Sequence, residues 1–501
     1  MIQGTGSGVG KSAIVAGLCR LFARAGVKVA PFKAQNMALN SYVTKDGGEI
    51  GRAQAVQAFA ARVEPTVDMN PILLKPTADT AAQVILRGRP VGNYSAISYH
   101  KMKNEMRSAV ARSLERLSSE CELLIIEGAG SPAEVNLKDN DIANMAIARM
   151  TGARVFIVGD IDKGGVFASL IGTLDLLTEE ERALVSGFII NKFRGDRSLL
   201  APGLQFLEDR TGVPITGVVP HIDVLLEQED SAEDGLWARG GEIEIAVVRL
   251  PRMSNFTDFN ALALERGVSV KLVKNLRELG WPDAVVIPGS KNTLDDMAFL
   301  HSSGLAQAIK ALASIGAPII GICGGYQMLG KVIRDEKGVE ARSGEVEGLG
   351  LLDVRTELLS DKVTRRVRAA ATGAGPILSA AQGRELFGYE IHAGRTALGN
   401  GARPAFEING NGGLKSYDGA VDESGLVFGT YLHGIFDNAP MRNALLSLLR
   451  QKKGLAPSSG SFDYHGFLDD ELDRFADCLA ESLDIEAIHK SAGISASALE
   501  G

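Results

Sequence analysis

The chain has little of what disulfide-bonded, metal-binding or membrane-spanning proteins depend on. Only four cysteines occur in 501 residues (Cys19, Cys121, Cys323 and Cys478), and none stands in a CxxC or Cys/His spacing, which argues against disulfides and structural zinc. No apolar run approaches the ~20 residues needed to cross a bilayer. The Gly-rich start lacks the apolar segment of a signal peptide. We therefore expect a cytoplasmic protein without a membrane partner.

Positive charge is also scarce. The 53 Lys and Arg are outnumbered by 61 Asp and Glu, for a net charge of −8, so we expect no nucleic-acid partner. Homo-oligomerisation is compatible with this composition. Glycine, in contrast, is abundant at 58 residues, which suits many tight strand-to-helix turns. The length exceeds that of one ordinary domain.

Short, nearly continuous apolar runs alternate with amphipathic helices, the pattern of buried parallel strands in an α/β fold. In the first half we predict a helix over 12–25 and strands over 27–32, 122–130, 154–160, 187–193 and 214–220. In the second half we predict strands over 244–251, 283–290, 317–325, 385–392 and 426–436, some of them antiparallel. The fold class is therefore α/β, with two doubly wound domains.

Composition shifts mark the expected boundaries. The stretch 226–242 is acidic and aperiodic, and 454–461 is rich in Gly, Ser and Pro, so both are predicted linkers. They divide the chain into domains at 1–235 and 243–452 and a helical tail at 453–501. Residues 365–382, rich in Arg, Ala and Gly, are predicted to form a mobile loop.

The stretch GTGSGVGKS, Gly4 to Ser12, is typical of a phosphate-binding loop, with five residues instead of four between its first Gly and the GKS. Its glycines leave backbone N–H groups free to face phosphate oxygens, and the following helix adds its positive dipole end. We expect nucleotide contacts from Gly4, Thr5, Gly8, Gly10, Lys11 and Ser12. The Ser12 hydroxyl is an expected Mg²⁺ ligand. A plain Gly-rich turn is the alternative. Because only three residues precede the loop, we expect either a very short first strand or a native start further upstream.

Polar residues follow several predicted strands. Glu127 is the second expected Mg²⁺ ligand, with a capping carboxylate as the alternative. Asp160 and Asp162 are equally compatible with metal or substrate binding and with helix capping. Asn191 is expected to read an adenine edge, and a structural turn is the alternative.

The stretch PIIGICGGYQMLG places Cys323 between a strand and a helix, flanked by glycines, which predicts a nucleophile at a sharp turn. A thiolate needs a proton partner; His433 is the first candidate and His392 the second. The backbone N–H groups of Gly289, Ser290 and Gly324 are expected to form an oxyanion hole. A buried, unreactive cysteine is the alternative.

These motifs give the two halves of the chain partial resemblances to two known classes of enzyme. The loop spacing, EGAG (127–130) and the Asn191 position resemble the dethiobiotin synthetase-like branch of P-loop enzymes, which activate carboxylates with ATP. The second half resembles class I glutamine amidotransferase domains, which release ammonia from glutamine through a cysteinyl thioester. In that class an acid lies two residues after the histidine, but Ile435 stands there here. The resemblance therefore implies a Cys323–His433 dyad.

From Gly4 to about residue 450, the chain resembles the cobyric acid synthase family in stretches such as PFKAQNMALNSYVT, EGAGSPAEVNL, DIDKGGVFASL, SNFTDFN and YLHGIFDN. The resemblance implies ATP, Mg²⁺ and glutamine as reactants and a corrinoid polycarboxylate as substrate, amidated at its b, d, e and g carboxylates. Other interpretations are an a,c-diamide synthase and a P-loop scaffold with an inert glutaminase-like domain.

An anionic corrinoid requires a local basic surface on an acidic protein. Seven cations concentrate between the phosphate-binding loop and the strand predicted over 122–130: Lys33, Arg52, Lys75, Arg87, Arg89, Lys101 and Lys103. We expect them to form the substrate wall, with Lys33, Arg52, Lys75 and Arg87 in contact with the substrate. A solvated charged face is the alternative.

Overall fold

The computed structural model describes residues 1–78, 81–99, 102–225, 240–340, 344–409, 415–457 and 462–493. Lys101, most of the first predicted linker and the end of the second lie outside the described residues. Within the described ranges, no helix has the length and apolar content that crossing a bilayer requires.

The first half contains one parallel sheet and a smaller mixed one, in which the β3–β6 pair is parallel and the other pairs are antiparallel. The parallel sheet has the order β2–β9–β1–β10–β11–β12, since an isolated bridge between Ile2 and Glu127 joins its two parts. The smaller sheet, β3–β6–β7–β8, and the β4–β5 hairpin arise from the segment between β2 and β9. The strands are β1 (Ile2–Gly4), β2 (Val29–Phe32), β3 (Gln35–Met37), β4 (Ser41–Val43), β5 (Glu49–Gly51), β6 (Ile72–Ala78), β7 (Ala81–Leu86), β8 (Arg89–Ser95), β9 (Leu123–Ile126), β10 (Val155–Asp160), β11 (Val185–Phe193) and β12 (Ile215–Pro220).

The helices of this half cover the sheet on both faces, as expected for a doubly wound fold. They are α1 (Lys11–Arg24), α2 (Arg52–Ala60), α3 (Ala96–Tyr99), α4 (Lys103–Glu120), α5 (Met145–Thr151), α6 (Val166–Asp175), α7 (Glu179–Arg182) and α8 (Arg197–Thr211). The apolar face of α1, predicted from Ile14, Val15, Leu18 and Phe22, is buried. All five predicted strands of the first half are confirmed.

The second half is built on a six-stranded sheet, β15–β13–β16–β18–β26–β25, in which the β25–β26 pair is antiparallel. A second, largely antiparallel sheet, β20–β19–β21–β22–β27, packs beside it. The strands are β13 (Ile243–Val248), β14 (Met253–Ser254), β15 (Val268–Val273), β16 (Ala284–Ile287), β17 (Gly289–Ser290), β18 (Ile319–Ile322), β19 (Val332–Asp335), β20 (Gly344–Glu347), β21 (Val354–Ala371), β22 (Glu385–Leu398), β23 (Phe406–Asn409), β24 (Lys415–Asp418), β25 (Ala420–Val421), β26 (Val427–Thr430) and β27 (Leu432–His433).

The predicted mobile loop at 365–382 is wrong. Its first part continues β21, which pairs with β22 along most of its length. Val367, Ala369 and Ala371 are buried at alternate positions, as the two-residue period of a strand requires. Small alanines occupy buried positions of this strand next to exposed arginines. The composition alone therefore does not show the alternation.

The tail forms two helices that return to the first half. The helices from 260 onward are α9 (Asn260–Ala263), α10 (Leu276–Leu279), α11 (Thr293–Ser302), α12 (Leu305–Ser314), α13 (Gly324–Leu329), α14 (Leu378–Ala381), α15 (Ala439–Lys452), α16 (Tyr464–Ser482) and α17 (Ile485–Ser491). Phe475 and Leu479 of α16 join the core around α1. Arg20 of α1 is fully buried and forms ion pairs with Asp469 and Asp473. The tail therefore packs against the predicted phosphate-binding half.

The two halves meet along the segment 40–51. The Ser41 N–H donates to Asn255 Oδ1 at 3.1 Å, and the Phe256 N–H donates to Asn40 Oδ1 at 3.0 Å. Val43 packs against Tyr389 and Ile391 in a small shared core. This contact places the segment beside the end of β27.

We expect Phe475→Ala to lower the free energy of unfolding of the first half by about 3–5 kcal/mol, because the ring is buried between α16 and α1. The shift of the corresponding transition in urea denaturation measures it. Phe206→Ala is the matched control, since the Phe206 ring is 56% exposed, and it should change stability by less than about 1 kcal/mol. Equal effects of the two substitutions would contradict the packing role of the tail.

Candidate active site

The loop between β1 and α1 wraps around the Lys11 side chain. Lys11 Nζ donates to the carbonyls of Gly6 at 2.7 Å and Gly130 at 3.0 Å. Gly10 has a φ of 97°, and a Cβ there would lie 2.2 Å from Asn191 Nδ2. Only glycine fits this position, because both the backbone conformation and the close approach exclude a side chain. The loop thus has the form expected of a phosphate cradle at a helix N-terminus.

Asn191 supports the loop. Its Nδ2 donates to the Val9 carbonyl at 2.8 Å, and the residue is buried. This bond gives Asn191 a structural role at the loop, and the expected adenine contact stays a prediction, because an amide NH₂ group has two N–H donors and the bond uses only one of them.

Glu127 lies beside Ser12 at the end of β9, and its carboxylate is 1% exposed. It accepts hydrogen bonds from the Ser12 hydroxyl at 2.8 Å and from Gln57, and Lys33 Nζ is 2.7 Å away. Burial alone would raise the pKa of Glu127, but the Lys33 charge and these hydrogen bonds outweigh burial and hold the pKa below its usual value. A hydroxyl and an ionised carboxylate at a phosphate cradle are hard oxygen donors, and they fit Mg²⁺.

Asp160 and Asp162 are both engaged in contacts at the same sheet edge. Asp160 Oδ2 pairs with Lys192 Nζ at 2.8 Å, and Lys192 Nζ also donates to the Gly8 carbonyl at 2.8 Å. Asp162 pairs with Arg194 at 3.2 Å. Asp160 therefore braces the loop through Lys192, a contact that the sequence does not reveal because the two residues are far apart in the chain.

Cys323 occupies the sharp turn between β18 and α13. Its φ of 54° and ψ of −109° are strained for a residue with a side chain. The turn is possible because Gly325 follows, where a Cβ would lie 1.9 Å from the Ile287 carbonyl oxygen. The thiol donates to the Ile391 carbonyl at 3.5 Å and is within hydrogen-bonding reach of His433. The predicted nucleophile elbow is therefore present.

His433 has an acidic partner, so the dyad expected from Ile435 is wrong. The Nδ1–H of His433 donates to Asp258 Oδ2 at 2.7 Å, and Asp258 Oδ1 accepts the Gly434 N–H at 2.9 Å. Burial alone would lower the pKa of His433, but the Asp258 carboxylate outweighs it and raises the pKa to about 10. Cys323, His433 and Asp258 thus have the connectivity of a nucleophile, a base and an orienting acid.

The other candidates lie around the thiol. A Cβ on Gly324 would be 2.9 Å from the Ser290 nitrogen, so these two amides are neighbours at the elbow, and Gly289 lies beside the His433 ring. This placement supports the predicted oxyanion hole. His392 points to a different partner: its Nδ1–H donates to the Gly394 carbonyl at 2.9 Å, and its ring stacks on Tyr431. Burial lowers the pKa of His392 to about 4.

The thiol cavity is shared by both halves. It has a volume of about 60 Å³. Ser290, Cys323 and Gly324 line it from the second half, and Thr77, Gln83 and Asn93 line it from the first. Lys362 also lines it and pairs with Glu49, which forms a second ion pair with Lys75.

The four basic residues expected to contact the substrate do not form one surface. Lys33 is bonded to Glu127 at the phosphate cradle, and Arg52 is buried at the start of α2, with its guanidinium 5.3 Å from the Tyr42 ring centre. Arg87 is partly exposed and pairs with Asp68 at 3.0 Å. Lys75 is fully buried against Glu49, which removes it from a substrate wall, because its charge is already neutralised inside the interface.

Comparison with known proteins identifies the family. Residues 1–233 match the CobQ/CobB/MinD/ParA nucleotide binding domain, and residues 244–441 match the CobB/CobQ-like glutamine amidotransferase domain. The cobyric acid synthase of Pelotomaculum thermopropionicum is 52% identical over 99% of this chain and 96% of its own length. The chain belongs to the cobyric acid synthase family. The enzymes of Moorella thermoacetica (52% identity; 97% of this chain, 95% of that one) and Clostridium acetobutylicum (48%; 99% and 98%) agree. Members of the cobyric acid synthase family are glutamine-dependent amidating ligases.

We expect Asp258→Asn to reduce kcat/KM for glutamine about 100-fold, because the imidazole loses the carboxylate that orients it. The carboxylate also raises the pKa of His433, so the native imidazolium persists to about pH 10. Without it, burial lowers that pKa and the alkaline limb of the pH–rate profile moves to lower pH. Glutamate release measured across pH checks both effects. An unchanged alkaline limb would contradict the role of Asp258.

Proposed function

We propose that this protein amidates the b, d, e and g carboxylates of adenosylcobyrinic acid a,c-diamide, using ATP and glutamine, to give adenosylcobyric acid. The observation that carries the proposal is the presence of two chemically distinct sites in one chain: a phosphate cradle around Lys11 and a thiol centre formed by Cys323, His433 and Asp258. Membership of the cobyric acid synthase family supports the substrate.

The thiol centre supplies the nitrogen. Cys323 attacks the side-chain amide carbon of glutamine after its proton has passed to His433, and the His433 imidazolium gives that proton to the departing ammonia. The backbone N–H groups of Ser290 and Gly324 stabilise the oxyanion. Water then hydrolyses the thioester and releases glutamate. Asp258 keeps the ring oriented throughout, because it is bonded to both Nδ1 and the next backbone N–H.

The phosphate cradle activates the acceptor. A corrinoid carboxylate attacks the γ-phosphate of ATP, and Lys11 and the loop N–H groups stabilise the charge on the transferring group. Ser12 and Glu127 would hold a Mg²⁺ ion, which neutralises phosphate charge when bound. Because Lys33 now neutralises Glu127, it is placed to exchange that partner for an anionic reactant. Ammonia then displaces phosphate from the acyl phosphate.

The exposed side of the β7–β8 hairpin is the part of the expected substrate wall that we propose for corrinoid binding. Arg87 is partly exposed and Arg89 is exposed, whereas Lys75 is buried. A cation whose side chain reaches solvent can attract a polyanion, but one that is fully buried, as Lys75 is, cannot. We therefore assign Arg87 and Arg89 to the substrate surface, with Lys33 and Arg52 nearer the cradle.

The two sites are separable by substitution. We expect Cys323→Ala to abolish glutamine-dependent amidation and to spare amidation with added ammonium salt, whereas Lys11→Ala should remove both by at least about 100-fold. Mass analysis of the corrinoid product measures the number of amides added. Four additions support the proposed function, and two would indicate an a,c-diamide synthase. Loss of the ammonia reaction in folded Cys323→Ala would contradict the division of labour.

Arg89→Glu tests the corrinoid surface. It should raise KM for the corrinoid about tenfold and leave KM for ATP unchanged, since about 1–1.5 kcal/mol of charge interaction is at stake. Steady-state kinetics with each reactant varied in turn measure this. Arg210→Glu on α8, outside the hairpin, is the matched control. An equal rise of both KM values would contradict the assignment.

A further inference from the structure

The thiol cavity holds charged side chains that the chemistry at Cys323 does not use. Among the residues that the structure describes, its charged lining consists of Lys291, Glu340 and Lys362. Lys362 is neutralised by its ion pair with Glu49. Within the same described part of the chain, Lys291 and Glu340 form no ion pair. The cavity therefore contains a cation and an acid that are available to a charged ligand.

Glu340 is fixed in the cavity wall by hydrogen bonds. The Thr293 hydroxyl donates to Glu340 Oε1 at 3.0 Å, and the Thr293 N–H donates to Oε2. The backbone N–H of Glu340 donates to Oδ2 of the buried Asp335 at 3.1 Å. A carboxylate has about four acceptor sites, and Thr293 occupies two of them. The remaining sites can accept hydrogen bonds from a ligand.

The electrostatics of Glu340 are those of an acid that lacks a cationic partner. Burial raises the pKa of Glu340 to about 7, and the Thr293 hydrogen bonds and the Lys291 charge offset this effect only in part. The Lys291 charge thus acts on Glu340 through space, and the two groups occupy separate points of one cavity. A cationic group bound beside Glu340 would lower this pKa and keep the carboxylate ionised.

Lys291 lies beside the predicted oxyanion hole. It directly follows Ser290 in the chain, and both residues line the cavity. The Ser290 hydroxyl donates to Asp296 Oδ2 at 2.6 Å, which anchors this turn to α11. Thr293, which holds Glu340, begins the same helix. One helix therefore fixes the positions of both charged groups relative to the thiol.

The two charges match the end of glutamine that does not react. The amide of glutamine lies at one end of a short chain, and the carbon at the other end carries an α-ammonium group and an α-carboxylate. Charge-assisted hydrogen bonds to such groups are stronger than neutral ones. His392, which also lines the cavity, is neutral at neutral pH, because burial lowers its pKa to about 4. The opposite charges for a zwitterion are thus provided by Glu340 and Lys291.

We propose that Glu340 and Lys291 select glutamine at the thiol centre: the Glu340 carboxylate binds the α-ammonium group, and the Lys291 ammonium group binds the α-carboxylate. The inference rests on the proposed hydrolysis of glutamine at Cys323, and it adds the contacts that distinguish an amino acid from other primary amides. Neither side chain takes part in making or breaking a bond. Together they hold the substrate with its amide carbon facing the thiol, so that binding at the remote end positions the reacting end.

Two glutamine analogues test the contacts separately. 4-Aminobutanamide keeps the ammonium group and lacks the α-carboxylate, whereas glutaramate keeps the carboxylate and lacks the α-ammonium group. We expect Lys291→Met to lower kcat/KM for glutamine about 30-fold, because a charge-assisted contact is lost, and to leave kcat/KM for 4-aminobutanamide nearly unchanged. Glu340→Gln should lower kcat/KM for glutamine by a similar factor and leave that for glutaramate nearly unchanged. Mass spectrometry of the acid released from each amide, with MgATP and the a,c-diamide present, measures these constants.

Alkylation of Cys323 gives a second measurement that needs no turnover. The diazoketone 6-diazo-5-oxo-L-norleucine carries both α-groups of glutamine, and iodoacetamide carries neither. Both substitutions should slow alkylation by the diazoketone about 30-fold and leave alkylation by iodoacetamide nearly unchanged, as followed on the Cys323 peptide. Glu336→Gln and Lys337→Met, at exposed positions of the loop that leads to Glu340, are matched controls that should change neither rate. Equal slowing of both reagents by Lys291→Met or Glu340→Gln would overturn the proposal.

The analogue kinetics can also contradict the proposal directly. If Lys291→Met lowers kcat/KM equally for glutamine and 4-aminobutanamide, Lys291 does not bind the α-carboxylate. The same reasoning applies to Glu340→Gln and glutaramate, so one variant decides even if the other fails to fold.

Amidation with ammonium salt separates this test from that of the proposed function. A native enzyme that amidates the corrinoid with ammonium salt and does not hydrolyse glutamine would reject the proposed role of the thiol centre. Native glutamine kinetics in both Lys291→Met and Glu340→Gln would reject the α-group contacts and keep the function.

Discussion

In the glutaminase centre, a single buried carboxylate holds two elements in place. Asp258 is 2% exposed, and it accepts one hydrogen bond from the His433 ring and one from the Gly434 backbone. An ionised carboxylate is costly to bury without such partners. The same two bonds fix the ring orientation and keep the imidazole charged. Asp258 has both hydrogen-bond partners only when β27 ends beside the turn that contains Asp258. The geometry of the thiol centre therefore depends on this placement.

The same constraint organises the contact between the halves. Glu127 is neutralised by Lys33 at the cradle, and Glu49 by Lys75 and Lys362 at the interface. Each pair joins segments that are distant in sequence. Since breaking one partner of a buried pair leaves an uncompensated charge, the Lys362–Glu49 pair, which joins the two halves, helps to specify how they meet. Residues of β6, β7 and β8 also line the cavity beside Cys323.

Residues with strong local requirements could be predicted from the sequence. The phosphate cradle follows from glycines that adopt special backbone angles, and the elbow follows from an apolar strand and the glycines after Cys323. Asp258 could not be found this way, because it is 175 residues from His433 and the family position for the acid holds Ile435. The stretch SNFTDFN contains Asp258, but nothing in the neighbouring residues indicates that this acid faces a histidine. The position of Asn191 at a strand end could be predicted, but its bond to the loop could not, because Val9 is 182 residues away.

By itself, the sequence determined the α/β class, the order of the parallel strands' apolar runs, and the identities of Lys11, Ser12, Cys323 and His433. These features depend on interactions among residues that are neighbours along the chain, and the periodicity and backbone freedom of such residues can be recognised in the sequence. Only the tertiary structure decided that Asp258 completes the thiol centre, that Asn255 contacts the imidazole, that Lys75 is buried, and that the tail packs on α1. Those outcomes depend on which polar groups must be paired once water is excluded, and that pairing is set by distances that exist only in the folded chain.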